Sequence, residues 1–350
     1  MIQRTPALVE AHPVDIGQQS WQQLLSDSTT TPEALLESLG LDPGKWLAGA
    51  STGHRLFPIR VPQPYLDRIE YGNAQDPLLR QVLPLAAEGE LVAGFVRDPL
   101  AEKAATPSPG LIQKYRSRAL LMITGQCAIN CRYCFRRHFP YEDHRLSPEE
   151  RAQAIELLHN SPEVNEVIFS GGDPLVANDR LLSRWADALV SIPHLKRLRI
   201  HTRLPVVIPQ RVNNALLEWL SRSRLQKVIV LHINHPNEID RPVEEAIARL
   251  KSTGATLLNQ SVILRGVNDH ADTLVQLSET LFEAGVLPYY LHAFDPVEGA
   301  HHFEVSDNDA RNLMRSLLDR LPGFLVPRLV RELPGKASKT PLDLYIDDER

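Results

Sequence analysis

The 350-residue chain is 43% hydrophobic and 23% charged, the balance of an ordinary globular protein with room for one large domain and an extension. Its net charge of -5, with Lys and Arg scattered along the chain, offers no basic footprint for nucleic acid or an anionic membrane surface. No apolar run approaches the ~18 residues that span a bilayer, and the N-terminus lacks the apolar stretch of a signal peptide, so a cytoplasmic setting is expected.

The first 110 residues are rich in proline and show no strand-helix alternation. Trp21-Gln-Gln-Leu-Leu begins one helix, and Thr31-Pro-Glu begins another, with threonine as N-cap and proline in the first turn. Phe57-Pro-Ile-Arg-Val-Pro-Gln-Pro should be extended, residues 77–88 should form a short helix, and Ala104-Ala-Thr-Pro-Ser-Pro-Gly110 reads as a linker. Residues 1–110 are therefore expected to form a mainly helical N-terminal extension with no chemistry visible in it.

From residue 119 short β-branched runs alternate with helical patterns. The candidate strands are 119–124, 166–170, 196–201, 227–233, 256–263 and 287–293, and after the first gap they begin about thirty residues apart, the size of a βα unit. Six such units fit either a doubly wound sheet or a partial barrel. Nearly every polar motif follows a strand end, and convergence of strand ends on one mouth favours the barrel. The expected fold is α/β, a partial (β/α)6 barrel over 111–305, followed over 306–350 by an amphipathic helix at 306–321 and a lysine-bearing segment.

Cys127, Cys131 and Cys134 are the only cysteines and form a CxxxCxxC run straight after the first of these strands. An odd count at tight spacing in a long chain argues against a disulfide framework. Three thiolates can serve three corners of an iron-sulfur cube and leave one iron open, whereas zinc sites and ferredoxin cubes normally take four protein ligands. An open iron suits the amino and carboxylate groups of S-adenosylmethionine (SAM). A structural zinc with His138 as fourth ligand is the alternative.

Ser170-Gly-Gly-Asp-Pro ends the second strand; its glycine pair lets the backbone approach a ligand closely, and equally suits a tight turn. His201-Thr-Arg, His232-Ile-Asn-His and Asn259-Gln-Ser occupy the next strands or their ends. Asp295 follows the sixth strand, either as a loop cap or as a buried carboxylate that needs a cation. His301 and His302 read as loop residues. Lys339 lies in Pro334-Gly-Lys-Ala-Ser-Lys-Thr-Pro, where small residues let the backbone curl around an aldehyde cofactor held as an imine, or make a plain basic turn.

Together these motifs resemble the lysine 2,3-aminomutase family of radical SAM, pyridoxal phosphate (PLP) enzymes over about residues 110–342. The resemblance implies a 4Fe-4S cluster on Cys127, Cys131 and Cys134, and SAM held by Ser170, Gly171, Gly172, His232 and Gln260. It implies PLP on Lys339, which matches the family's lysine by spacing where Lys336 does not, with Tyr115 and Arg118 of the Lys114–Arg118 stretch on the cofactor phosphate. Arg136 matches the arginine that binds the substrate carboxylate, and Asp295 and Glu332 match the pair that holds the ε-ammonium of lysine. Two carboxylates suit a buried ammonium through charge-assisted hydrogen bonds, and would repel an acidic substrate.

The implied reaction moves nitrogen from C2 to C3 of (S)-α-lysine, started by a 5′-deoxyadenosyl radical after one-electron reduction of SAM by a donor such as flavodoxin or ferredoxin. The chain stops eleven residues after Lys339 and has His270 where free-lysine enzymes of the family carry a cysteine. It thus resembles the short bacterial branch that supplies (R)-β-lysine for modification of translation elongation factor P, which implies a link to that factor and its β-lysine ligase. The rival readings are a metabolic mutase for free lysine or another cationic amino acid, and a non-catalytic iron-sulfur or zinc protein; a homo-oligomer is compatible with each.

Overall fold

Among the described residues, the strands from residue 111 onward assemble into one nine-stranded sheet whose spatial order follows the sequence. The computed structural model describes residues 19–102, 106, 108, 110–140 and 146–344. Strands β1 (Leu111–Tyr115) and β2 (Arg118–Thr124) form an antiparallel hairpin. Parallel to β2 and to one another follow β3 (Glu166–Gly171), β4 (Arg197–Thr202), β5 (Gln226–Leu231), β6 (Thr256–Val262), β7 (Leu287–His292) and β8 (Arg328–Arg331). The two-residue β9 (Thr340–Pro341) returns antiparallel on β8.

The six strands expected from the sequence are β2 to β7, and the unbroken order with crossovers is that of an open barrel. Among the described residues no ladder joins β9 to β1; the ion pair Lys114–Glu332, 2.7 Å, reaches from the first strand to the residue after β8 instead. The sequence reading missed β1, β8 and β9. The second half of β1 is Gln-Lys-Tyr and only half-buried, so it makes no apolar run, and β8 and β9 are too short to show a period.

The extension holds α1 (Trp21–Ser26), α2 (Pro32–Ser38), α3 (Pro43–Leu56), α4 (Gln63–Leu66) and α5 (Pro77–Arg80). Thr31 caps α2, its Oγ1 accepting from Ala34 N at 3.3 Å, with Pro32 where no amide hydrogen is needed. Helix α3 escaped the sequence reading because its three glycines lower helix propensity. One of them is required: a Cβ on Gly53 would stand 2.8 Å from Leu85 N. The expected helix at 77–88 is split into α5 and a 3-10 turn at Ala86–Gly89, with Pro84 between them, and the proline-rich segment turns helical at Gln63. Residues 104, 105, 107 and 109 of the expected linker, and the first 18 residues, lie outside the described residues.

Among the described residues seven helices follow: α6 (Pro148–His159), α7 (Asp179–Val190), α8 (Leu204–Val207), α9 (Asn214–Arg222), α10 (Arg241–Ser252), α11 (Ala271–Glu283) and α12 (Asp307–Arg320). Helix α6 starts on a reciprocal cap, Glu150 N to Ser147 Oγ at 3.1 Å and Ser147 N to Glu150 Oε2 at 2.8 Å. Leu35, Leu36, Tyr65, Leu78 and Leu79 of the extension are fully buried in the same cluster as Leu121, Phe169, Leu198 and Ile229 of the sheet. Each such side chain contributes up to about 3 kcal/mol, so the extension and the barrel share one core. Among the described residues no helix is long and apolar enough to cross a membrane.

Candidate active site

Where parallel strands end together, their last residues and the following loops enclose a cavity of about 280 Å³. Every sequence-predicted site residue lines it: the three cysteines after β2, Ser170, Gly171 and Gly172 at the end of β3, His232 after β5, Gln260 in β6, Asp295 after β7, Glu332 after β8, and Tyr115, Arg118, Arg136 and Lys339. Lys336 does not line it and is exposed.

The cysteine loop has little regular structure of its own, so other segments supply its hydrogen bonds. Asn130 N donates to Arg60 O at 3.1 Å and Arg132 N to Gln81 O at 2.9 Å; Arg60 Nη1 donates to Cys127 O at 3.3 Å. Arg132 is fully buried and spends its guanidinium on Glu88 Oε1 at 2.9 Å, Glu88 Oε2 at 2.5 Å, Phe57 O at 2.7 Å and Gly53 O at 3.1 Å. Arg137 joins the same carboxylate at 2.6 Å. A buried Arg-Glu-Arg triad thus fastens the loop to the extension, the region in which the sequence showed no chemistry.

The glycine pair has a packing reason of its own. Gly172 N donates to Thr124 O and Asp173 N to Gln126 O, both at 2.8 Å, which draws the turn after β3 onto the start of the cysteine loop. A Cβ on Gly171, whose φ is +130°, would lie 2.2 Å from Thr124 O, and one on Gly172 would lie 2.3 Å from Gln126 O. The carboxylate of Asp173 accepts from Leu175 N, Arg203 N, Leu204 N and Thr202 Oγ1, which ties the turn after β3 to the turn after β4.

Charges of alternating sign run along one wall. Glu102 accepts from Arg136 Nε and Nη2 at 2.7 and 2.8 Å and pairs with Lys114 at 3.1 Å; Lys114 also reaches Glu332, which accepts from Lys339 Nζ at 2.8 Å. Burial alone would raise both carboxyls, but the cations beside them win: Arg136 and Lys114 hold Glu102 at about 2, and Lys339 and Lys114 hold Glu332 at about 2. Asp295 goes the other way. Burial lifts it to about 6, against the pull of Lys339 and with the push of Glu332.

Sequence reasoning missed Glu102, because the stretch that carries it has no period. That stretch is set by a bridge to the loop after β7, Val96 N to Pro296 O at 3.0 Å and Glu298 N to Val96 O at 3.1 Å. Arg199 was also missed, although the two-residue period of β4 puts it on the face of His201. Arg203 and His292 line the cavity as well.

Among the described residues no three Cys, His, Asp or Glu side chains converge on a point suited to a single ion, and His138 turns its Nε2 to Glu298 O at 3.1 Å. Thiolates at the corners of a cube stand further apart than the ligands of one ion. Burial and the neighbouring thiols push two of them up, Cys134 to about 11 and Cys127 well above the ordinary value, a penalty that bound iron would reverse. Other buried polar atoms are open to acceptors or donors: among the described residues Arg199 Nε, His201 Nε2 and His292 Nε2 have no partner. Burial, with nearby cations, keeps His201 and His292 neutral and lowers His232 to about 3; Gln260 Nε2 donates to His232 Nε2 at 3.1 Å. Arg118 stacks 4.3 Å over the Tyr115 ring. Three thiols, a lysine, and arginines with donors still open, such as Arg199 Nε, on the wall of one cavity are a donor set that fits an iron-sulfur cluster, SAM and PLP.

Residues 121–277 match the Radical SAM superfamily. The chain is 51% identical to L-lysine 2,3-aminomutase of Escherichia coli (strain K12), over 94% of this chain and 96% of that protein. It is 47% identical to the Haemophilus influenzae protein of the same name, over 95% and 98%, and 37% identical to that of Clostridium subterminale, over 79% and 67%.

Proposed function

The chain belongs to the lysine 2,3-aminomutase family, and on that premise we propose that it is a radical SAM, PLP-dependent isomerase that converts (S)-α-lysine into (R)-β-lysine for modification of elongation factor P. The observation that carries this reading is that Lys339 and the thiol triplet line one cavity. When bound, the cluster and SAM supply the radical that takes hydrogen from C3, and PLP supplies the electron sink through which nitrogen passes from C2 to C3.

The residues of the chain divide the remaining work. Cys127, Cys131 and Cys134 hold the cluster; Ser170, Gly171, Gly172, His232 and Gln260 hold SAM. Lys339 takes PLP, with Tyr115 and Arg118 on its phosphate; Arg199, also on the wall, donates Nη2 to Glu166 Oε1 at 2.6 Å and leaves its Nε for a further acceptor. With Lys339 on the cofactor, Glu332 Oε2 would lose its 2.8 Å partner while Oε1 keeps Lys114 at 2.7 Å, and with Asp295 it would receive the ε-ammonium of the substrate. Arg136 receives the carboxylate. The walls of the cavity serve to keep water and stray hydrogen donors away from the radical.

The chain covers 96% and 98% of the Escherichia coli and Haemophilus influenzae proteins but 67% of the clostridial one, in keeping with the short form on which the elongation factor P reading rests. The reading includes a cytoplasmic location, a flavodoxin or ferredoxin as electron donor and a β-lysine ligase that uses the product. Anaerobic incubation with lysine, SAM and a reductant, followed by chiral analysis, should yield (R)-β-lysine; no β-lysine refutes the reading. Lys339→Ala should lose the PLP absorbance and keep the iron-sulfur band, and loss of that absorbance in Lys336→Ala instead would show the cofactor lysine to be the wrong one.

A further inference from the structure

Arg203 sits in the turn between β4 and α8, 6% exposed, on the wall of the cavity. Its Nη1 donates to Cys131 Sγ at 2.7 Å. Its Nη2 is held by Tyr65 Oη at 3.2 Å, Gln81 Oε1 at 2.7 Å and Glu238 Oε2 at 2.8 Å, while Nε has no acceptor among the described residues. The carboxylate of Glu238 is itself fixed, its Oε1 accepting from Asn234 N at 2.9 Å, His235 N at 3.1 Å and Gln81 Nε2 at 3.2 Å. Two of the groups that set the guanidinium, Tyr65 and Gln81, come from the extension. A rigid fork can serve a carboxylate with one nitrogen and a thiolate with another, which a lysine ammonium cannot.

We propose that Arg203 is a positioning residue for the cluster: it presents a fixed, charged hydrogen-bond donor to the Cys131 thiolate and thereby raises the reduction potential of the cluster. The inference rests on the cluster part of the reading above and is independent of PLP and lysine. Adding one electron to the cluster makes it more negative, and a cation bonded to a ligating sulfur stabilises that reduced state more than the oxidised one. The extension, through Tyr65 and Gln81, helps to set this contact, so it acts on the redox centre as well as on the core.

The test is a redox titration of the full-length protein, reconstituted anaerobically without SAM, PLP or lysine and followed by electron paramagnetic resonance, with iron and sulfide counted on the same samples. Arg203→Gln should keep its iron and shift the reduction equilibrium at least tenfold toward the oxidised cluster, a fall of about 59 mV for a one-electron couple. A loaded variant with the wild-type midpoint overturns the inference. Should Arg203→Gln fail to hold a cluster, Arg203→Lys decides, since it keeps the charge but offers one ammonium to partners that need a fork: a lowered midpoint upholds the inference and an unchanged one overturns it. A wild-type chain that binds no cluster overturns the proposed function, and this inference with it.

Discussion

Replacing Asp295 by asparagine should make the ligand-free protein more stable and the enzyme worse. Burial moves this carboxyl from an ordinary 3.8 to about 6. A tenfold change in proton affinity is worth about 1.4 kcal/mol, so holding Asp295 ionised costs the folded, ligand-free protein about 3 kcal/mol at neutral pH. Because the folded value lies above the unfolded one, the penalty is absent below pH 3.8, grows between 3.8 and about 6, and is constant above that. Urea unfolding of PLP-free protein should show Asp295→Asn gaining up to about 3 kcal/mol at pH 7 and almost nothing at pH 4. The same change removes a charged partner of the substrate ammonium, worth about 1.5–3 kcal/mol, so lysine KM should rise between roughly tenfold and a hundredfold. Wild-type affinity for lysine should also fall as pH drops through about 6, when Asp295 takes up a proton while Glu332, held at about 2, stays charged. A variant less stable than wild type at pH 7, or a stability difference that is the same at pH 4 and pH 7, would refute the reasoning.

Two further outcomes test the way the cysteine loop is held. Glu88→Ala leaves Arg132 and Arg137 buried without their carboxylate and should destabilise the protein by about 3–5 kcal/mol, read as a lower urea midpoint together with poor iron retention; wild-type values for both would show that the triad does not anchor the loop. Gly171→Ala puts a Cβ 2.2 Å from Thr124 O at a φ of +130°, so the turn after β3 must pull away from the loop. Iron bound per chain should drop while far-ultraviolet circular dichroism stays the same, and full loading of this variant would sink the packing argument.

The sequence alone was enough for whatever depends on local period and spacing. The apolar runs that became β2 to β7 each report their own burial over a few residues, and the CxxxCxxC run reports a ligand set because its residues are neighbours in the chain. The resemblance in spacing singled out Lys339 over Lys336 as the expected cofactor lysine, and of the two only Lys339 is on the cavity wall. What only the tertiary structure decided are the partners that charged groups meet when they are removed from water. Glu88 stands 44 residues from Arg132, Glu102 stands 34 from Arg136, and Arg203 stands 72 from Cys131. No period links such pairs. A buried charge must find its counter-ion wherever the path of the chain brings one, and that path is set by the burial of apolar faces, which is blind to which carboxylate will face which guanidinium.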